Sequence, residues 1–145
     1  ANMHVCKVEG ATGYIDTNFE GKMQAAFDEL KNGQDYVYIH VEAPDECGHR
    51  GEIQNKVRAI EEIDNKILAP LLEKLKGLDD FTILIMPDHP TPLSTMTHAS
   101  DPVPYLLYRS NKPVKSAGIF SEKGAKDSGI YVEKACTLIE KMKEN

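Results

Sequence analysis

Apolar positions change their spacing several times along the chain, and each change marks an element. Phe19, Met23, Ala26, Phe27 and Leu30 recur at helical spacing between the capping stretch Asp16-Thr17-Asn18 and Asn32-Gly33, which predicts a helix. A longer stripe of Ile53, Val57, Ile60, Ile63, Ile67, Leu68, Leu71, Leu72 and Leu75 predicts the longest helix, with Glu and Lys on its other face. That stripe is expected to be core. Pro70 falls inside it and should kink the helix or start a second segment. Tyr131, Ala135, Leu138, Ile139 and Met142 mark a closing helix, preceded by a helical turn or two within Ser121 to Gly129.

Between these helices the pattern turns β-like. His4-Val5-Cys6-Lys7-Val8 is a short candidate strand, and Tyr36 to Val41 alternates. Phe81-Thr82-Ile83-Leu84-Ile85-Met86 is a continuous apolar run of the kind a buried strand shows, and Pro104 to Tyr108 adds a short strand. Strand, helix, strand, helix, strand, strand, helix is an α/β order, which favours a mostly parallel sheet flanked by helices. No repeat, low-complexity segment or linker divides the 145 residues, a length that suits one domain.

In such sheets ligands gather beyond the carboxyl ends of strands. Here two strand ends each run out into an acid and an imidazole: Asp45 and His49 after the second strand, Asp88 and His89 after the third. His98 adds a further imidazole past a Pro-containing loop. Asp45 and His49 stand four apart, so they share a side if the Ala43 to Gly51 loop takes a helical turn, and Gly48 leaves room for backbone approach. Asp88 and His89 are neighbours, and neighbours at a strand end point opposite ways. One ion takes both only if the backbone turns after Pro87; two ions side by side share the pair more easily. Two carboxylates and three imidazoles suit Zn or Mn and are too rich in nitrogen for Ca.

Any one of these residues alone reads as an ordinary packed or surface side chain. Their joint placement at one sheet edge reverses that. His4 and His40 each lie inside an apparent strand and stay packed or surface residues. Cys47 sits between two candidate ligands and could itself bind metal, though a small filler suits it better, and Glu42 and Glu46 read as solvated or as supports behind the ligands. Ser94, Thr95, Thr97 and Ser100 place hydroxyls beside the metal candidates, but spacing singles out none as a nucleophile and turn-forming roles suit them better.

Composition narrows the partners. A net charge of −6 argues against general nucleic-acid binding, which needs clustered Lys and Arg. No apolar run approaches a membrane span, and there is no signal-peptide pattern. Cys6, Cys47 and Cys136, odd in number and far apart, read as reduced thiols of a cytoplasmic protein. Neither a Walker-type phosphate loop nor a dinucleotide fingerprint is present.

Three stretches carry a resemblance. His40-Val41-Glu42-Ala43-Pro44-Asp45-Glu46-Cys47-Gly48-His49, Met86-Pro87-Asp88-His89-Pro90-Thr91-Pro92 and Thr97-His98-Ala99-Ser100-Asp101-Pro102-Val103-Pro104 are similar to the carboxy-terminal part of the cofactor-independent (2,3-bisphosphoglycerate-independent) phosphoglycerate mutases of the archaeal type. Gly10 to Lys22 is similar to the segment that precedes them there. The resemblance runs over nearly the whole chain, and three motifs in order are far more specific than one.

The resemblance implies a place in the alkaline phosphatase superfamily, with a partial alkaline-phosphatase-like three-layer sandwich for residues 1–145. It implies two divalent metal ions, Mn first, with Mg, Zn or Co as alternatives. Asp45, His49 and His98 would hold one ion, and Asp88 and His89 would belong to the other. Family members interconvert 2-phosphoglycerate and 3-phosphoglycerate, in glycolysis and gluconeogenesis, through a phosphorylated serine at the second ion. That serine, a further Asp ligand, most substrate-binding basic residues and an inserted domain belong to an amino-terminal part that this chain does not match. The expectation is therefore a fragment, inactive by itself, of a cytoplasmic isomerase acting on small phosphoglycerates without nucleic-acid or membrane partners. A sheet edge should stand uncovered, and a dimer formed through it would not be physiological. The competing readings are another phosphotransferase or phosphatase of the superfamily, or a non-catalytic metal-binding module.

Overall fold

The computed structural model describes residues 3–115 and 118–143. They fall into two compact units, the first formed by Ala1–Asp79 with Thr91–His98, the second by Asp80–Pro90 with Ala99–Asn145.

Helices make the first unit. Helix α1 (Phe19–Lys31) starts where the Asn18 side chain accepts a hydrogen bond from the Gly21 N–H at 2.8 Å, and it buries Phe19, Met23 and Ala26. A short helix, α2 (Ala43–His49), begins with Pro44 in its first turn, where a missing N–H costs nothing. Next comes α3 (Ile53–Ile63), then a π-turn over Asp64–Leu68, then α4 (Ala69–Leu75). The π-turn answers the question posed by Pro70. Its ring and missing N–H are incompatible with the regular i−4 bond, and the chain widens one turn early, the Ala69 N–H reaching back to the Asp64 carbonyl. The helical path continues instead of breaking.

Packing divides the apolar stripe of that long helical run. Ile67, Leu71 and Leu75 are buried and meet α1, where Phe19 is 2% exposed. Lys66 reinforces the contact, reaching Glu62 at 2.9 Å and Glu20 of α1 at 3.3 Å. Ile53, Val57 and Ile60, by contrast, are exposed, at 58%, 50% and 54%. The expectation that the whole stripe is core therefore holds for its second half only. Helix α3 packs on α2 around Ala59, whose small side chain allows the two helices to approach, and that contact uses a different face.

The second unit holds the one ladder among the described residues. Strand β1 (Thr82–Ile85) pairs antiparallel with β2 (Leu106–Arg109), Ile83 opposite Tyr108 and Leu84 opposite Leu107. Phe81 and Ser110 extend the pairing: the Ser110 N–H donates to the Phe81 carbonyl at 3.0 Å and the Phe81 N–H to the Ser110 hydroxyl at 2.8 Å. Helix α5 (Glu122–Asp127) is capped by Ser121, and α6 (Leu138–Lys143) packs on β1 with Leu138 buried.

Two expectations need correction. Element order favoured a mostly parallel sheet, yet the ladder present is antiparallel, because no crossover helix separates β1 from β2. His4 to Val8 and Tyr36 to Val41 form no ladder, since a strand is completed only by a neighbour for its backbone groups. No helix among the described residues is long and apolar enough to cross a membrane.

Replacing Leu71 with Ala should cost about 2–5 kcal/mol of stability through the cavity left against α1. Urea unfolding followed by circular dichroism would measure it; a change under 1 kcal/mol would mean that this interface does not hold the first unit together.

Candidate metal centre

Helix α2 supplies the first two ligand candidates. The stretch expected as a loop that might turn is a helix, and its i, i+4 spacing brings His49 Nε2 to 3.3 Å from Asp45 Oδ2. The helix stops at Arg50 and Gly51. The Gly51 N–H donates to the Gly48 carbonyl at 3.1 Å and the Glu52 N–H to the Cys47 carbonyl at 2.9 Å, a Schellman ending that places Gly51 at φ 67°.

Thr91–His98 brings the third. Its departure and return are closed by the Ala99 N–H donating to the Pro90 carbonyl at 2.9 Å. Inside it, the Thr95 and Met96 N–H groups both turn back to the Pro92 carbonyl, and Met96 takes φ 50°, rare for a residue with a side chain. That turn points the Met96 carbonyl at His49 Nδ1, 3.0 Å away. It also sets His98 Nε2 at 3.0 Å from His49 Nε2 and 3.6 Å from Asp45 Oδ1.

The tautomer follows. A carbonyl only accepts, so His49 Nδ1 carries the proton facing Met96, and in the neutral ring Nε2 presents its lone pair. That atom then faces the Asp45 carboxylate at 3.3 Å and His98 Nε2 at 3.0 Å. His49 and His98 meet there through their Nε2 atoms, beside the Asp45 carboxylate. The donor set of one carboxylate and two imidazoles fits a divalent transition-metal ion in a site with open positions.

Three supporting groups stand behind these candidates. Thr91, 5% exposed, donates its hydroxyl to Asp45 Oδ1. Lys56 of α3 donates its ammonium to the Thr91 carbonyl at 2.8 Å. Gly48 lets α2 come that close: a Cβ there would lie 2.8 Å from the Thr91 carbonyl oxygen and 2.7 Å from Lys56 Nζ. Of the three, Gly48 was legible in the sequence, as a residue that leaves room for backbone approach.

Neighbouring groups fit secondary roles. Cys47, wholly buried between the α2 ligands, has its thiol pushed up, first by burial and then by the charge of Glu52, so it is a neutral filler as expected. Glu46 reaches Arg50 at 3.8 Å, and Glu42 reaches His40 at 3.4 Å. Arg50 lies over the Tyr14 ring at 4.3 Å. The Tyr14 hydroxyl donates to Glu52, which holds that carboxyl below its usual range and the phenol above its own. Thr95 spends its hydroxyl on the Pro92 and Thr97 carbonyls, the turn role foreseen for this loop.

Asp88 and His89 belong to the second unit. The backbone does turn after Pro87: the His89 N–H donates to Asp88 Oδ1 at 3.1 Å, and His89 Nε2 lies 3.5 Å from Asp88 Oδ2. The two neighbours therefore face one another instead of diverging.

Comparison with known proteins agrees with an α/β metal-binding domain. A family model described as the Metalloenzyme superfamily matches residues 1–135, and the chain belongs to that superfamily. Divalent-metal binding comes with membership. Among its relatives, the 2,3-bisphosphoglycerate-independent phosphoglycerate mutases of Methanosarcina barkeri and Methanosarcina mazei are 52% and 48% identical, each over 96% of this chain and 35% of their own length. A probable enzyme of the same name from Geobacter sulfurreducens is 46% identical over 98% of this chain and 36% of its own. The solved structure of the PH0037 protein from Pyrococcus horikoshii superposes with a TM-score of 0.74 at 31% identity, over 87% of this chain and 37% of that one. The chain thus spans about a third of the length of the relatives it matches. The resemblance and the alkaline-phosphatase-like α/β class read from the sequence both stand.

Replacing Thr91 with Val should weaken Mn2+ binding about 10–100-fold, the usual cost of losing a group that orients a ligand, while Thr91→Ser should restore it. Titration of the chain with Mn2+, following the free ion by electron paramagnetic resonance, would read both. Equal affinity in all three forms would deny Thr91 any hold on Asp45.

Proposed function

We propose that the protein containing this chain interconverts 2-phosphoglycerate and 3-phosphoglycerate through a phosphoserine intermediate. The observation that carries this reading is the convergence of Asp45, His49 and His98 at 3.0–3.6 Å in a chain 52% identical to a mutase of that name. On this reading those three residues hold one divalent ion, and Asp88 and His89 contribute to a second. Mn is the first choice, ahead of Mg, Zn or Co. Bound ions would offset the negative charge of the transferring phosphoryl group, an electrostatic role suited to phosphate chemistry.

The chain's own residues account for the readiness of the first site. Asp45 supplies the one negative charge, while neutral His49 and His98 leave the ion with positive charge to spend on phosphate. The Met96 carbonyl keeps the proton of His49 on the side away from the ion, and Thr91 fixes one oxygen of Asp45, turning the other toward His49. The nucleophilic serine and the groups that bind the glycerate are assigned to the part of the protein outside these 145 residues. Work on central carbon metabolites would place the protein in the cytoplasm.

The test is an assay of the full-length protein on 2- and 3-phosphoglycerate against generic phosphate esters. Interconversion that needs added Mn2+ and falls at least about 100-fold in His49→Ala or His98→Ala supports the proposal, that being the scale on which a single charge-stabilising group acts. Ester hydrolysis without interconversion would instead make it a phosphatase of the same superfamily.

The isolated chain with Mn2+ and phosphoglycerate should give no turnover. Activity there that is lost in Ser94→Ala or Ser100→Ala would move the nucleophile into the Thr91–His98 loop region and sink the division of labour described above.

A further inference from the structure

Away from Asp45, a second set of ligand-type side chains converges in the first unit. His4 and Cys6 stand two apart before the first loop, and Glu29 lies near the end of α1. One ligand atom from each, an imidazole nitrogen, the thiol sulfur and a carboxylate oxygen, all lie within 4.8 Å of one another. His4 Nδ1 is 3.6 Å from Glu29 Oε1. A tetrahedral zinc ion with bonds of about 2.0–2.3 Å separates its ligand atoms by about 3.3–3.8 Å. The imidazole and carboxylate already stand at that spacing, with the thiol sulfur within 4.8 Å of both.

We propose that His4, Cys6 and Glu29 form a second metal site, selective for a thiophilic divalent ion such as Zn2+ and separate from the Asp45–His49–His98 centre. The donor set argues for that selectivity. A thiolate and an imidazole favour Zn2+ over Mn2+ or Mg2+, whereas a centre with one carboxylate and two imidazoles has no sulfur to offer. A metal ion binds the thiolate, so one proton leaves the Cys6 thiol for each ion bound. The three side chains supply three of four tetrahedral positions, leaving the fourth to water, since His4 is exposed. The consequence is structural: the ion ties the segment before Val8, which has no ladder of its own, to helix α1.

Cobalt substitution reads this site directly, because Co2+ bound to a thiolate gives a near-ultraviolet charge-transfer band that oxygen and nitrogen ligands do not. The experiment uses the full 145-residue chain carrying His49→Ala and His98→Ala, kept reduced with a phosphine. One equivalent of Co2+ should produce the band, and Zn2+ should abolish it while Mg2+ does not. Cys6→Ser should remove the band, Cys136→Ser should leave it, and His4→Ala or Glu29→Gln should weaken binding at least tenfold. No band, a band that survives Cys6→Ser, or one lost in Cys136→Ser overturns the proposal. Circular dichroism of each variant separates loss of the site from loss of the fold. Because the other centre is removed in this background, the outcome is independent of the mutase reading.

Discussion

The docking of the Thr91–His98 segment on helix α2 is the contact on which the candidate centre depends. Helix α2 alone gives Asp45 and His49, two ligands on one face, which is too few for a selective site. His98 reaches them only because its segment lies flat against α2, and three interactions keep it there. Gly48 removes the side chain that would hold the segment off, Lys56 clamps the Thr91 carbonyl, and the Thr91 hydroxyl bonds Asp45 itself. At the far end the Met96 carbonyl takes the proton of His49. Position and tautomer are thereby set together by contacts within the chain.

That arrangement explains why α2 is short and well framed. Proline in its first turn and a Schellman ending at Gly51 fix both ends of a two-turn helix that could not persist in isolation. Its stability comes from α3, packed on it at Ala59, and α3 in turn runs through the π-turn into α4 and the α1 interface. The buried Ile67, Leu71 and Leu75 thus hold up, at one remove, the helix that carries the ligands.

Membership in the Metalloenzyme superfamily and the geometry of the centre lead in the same direction by separate routes. The first says that such chains bind metal. The second brings one carboxylate and two imidazoles, a donor set that suits a divalent cation, to 3.0–3.6 Å from one another. The proposed phosphate-transfer role would draw on both, because the main demand of such chemistry is neutralisation of charge by rigidly held positive groups.

Much of the fold was legible in the sequence. Helix α1, the long helical run and the β1 segment follow from apolar period, and the five ligand candidates from acids and imidazoles placed after apolar runs. Residue pattern also marked Cys47 as filler. Tertiary structure alone decided the rest. Period does not tell which half of a stripe will find a partner, so Ile53, Val57 and Ile60 look identical to Ile67 and Leu71 in sequence. Strand direction depends on the neighbour, which the run from Phe81 to Met86 does not encode. The supporting roles of Lys56, Thr91 and the Met96 carbonyl arise from contacts across 35 to 47 residues of chain, where no local pattern exists to announce them. Ligand identity is a property of side-chain chemistry and so is written in the residues. Ligand geometry is a property of packing between distant segments, and only the folded chain can set it.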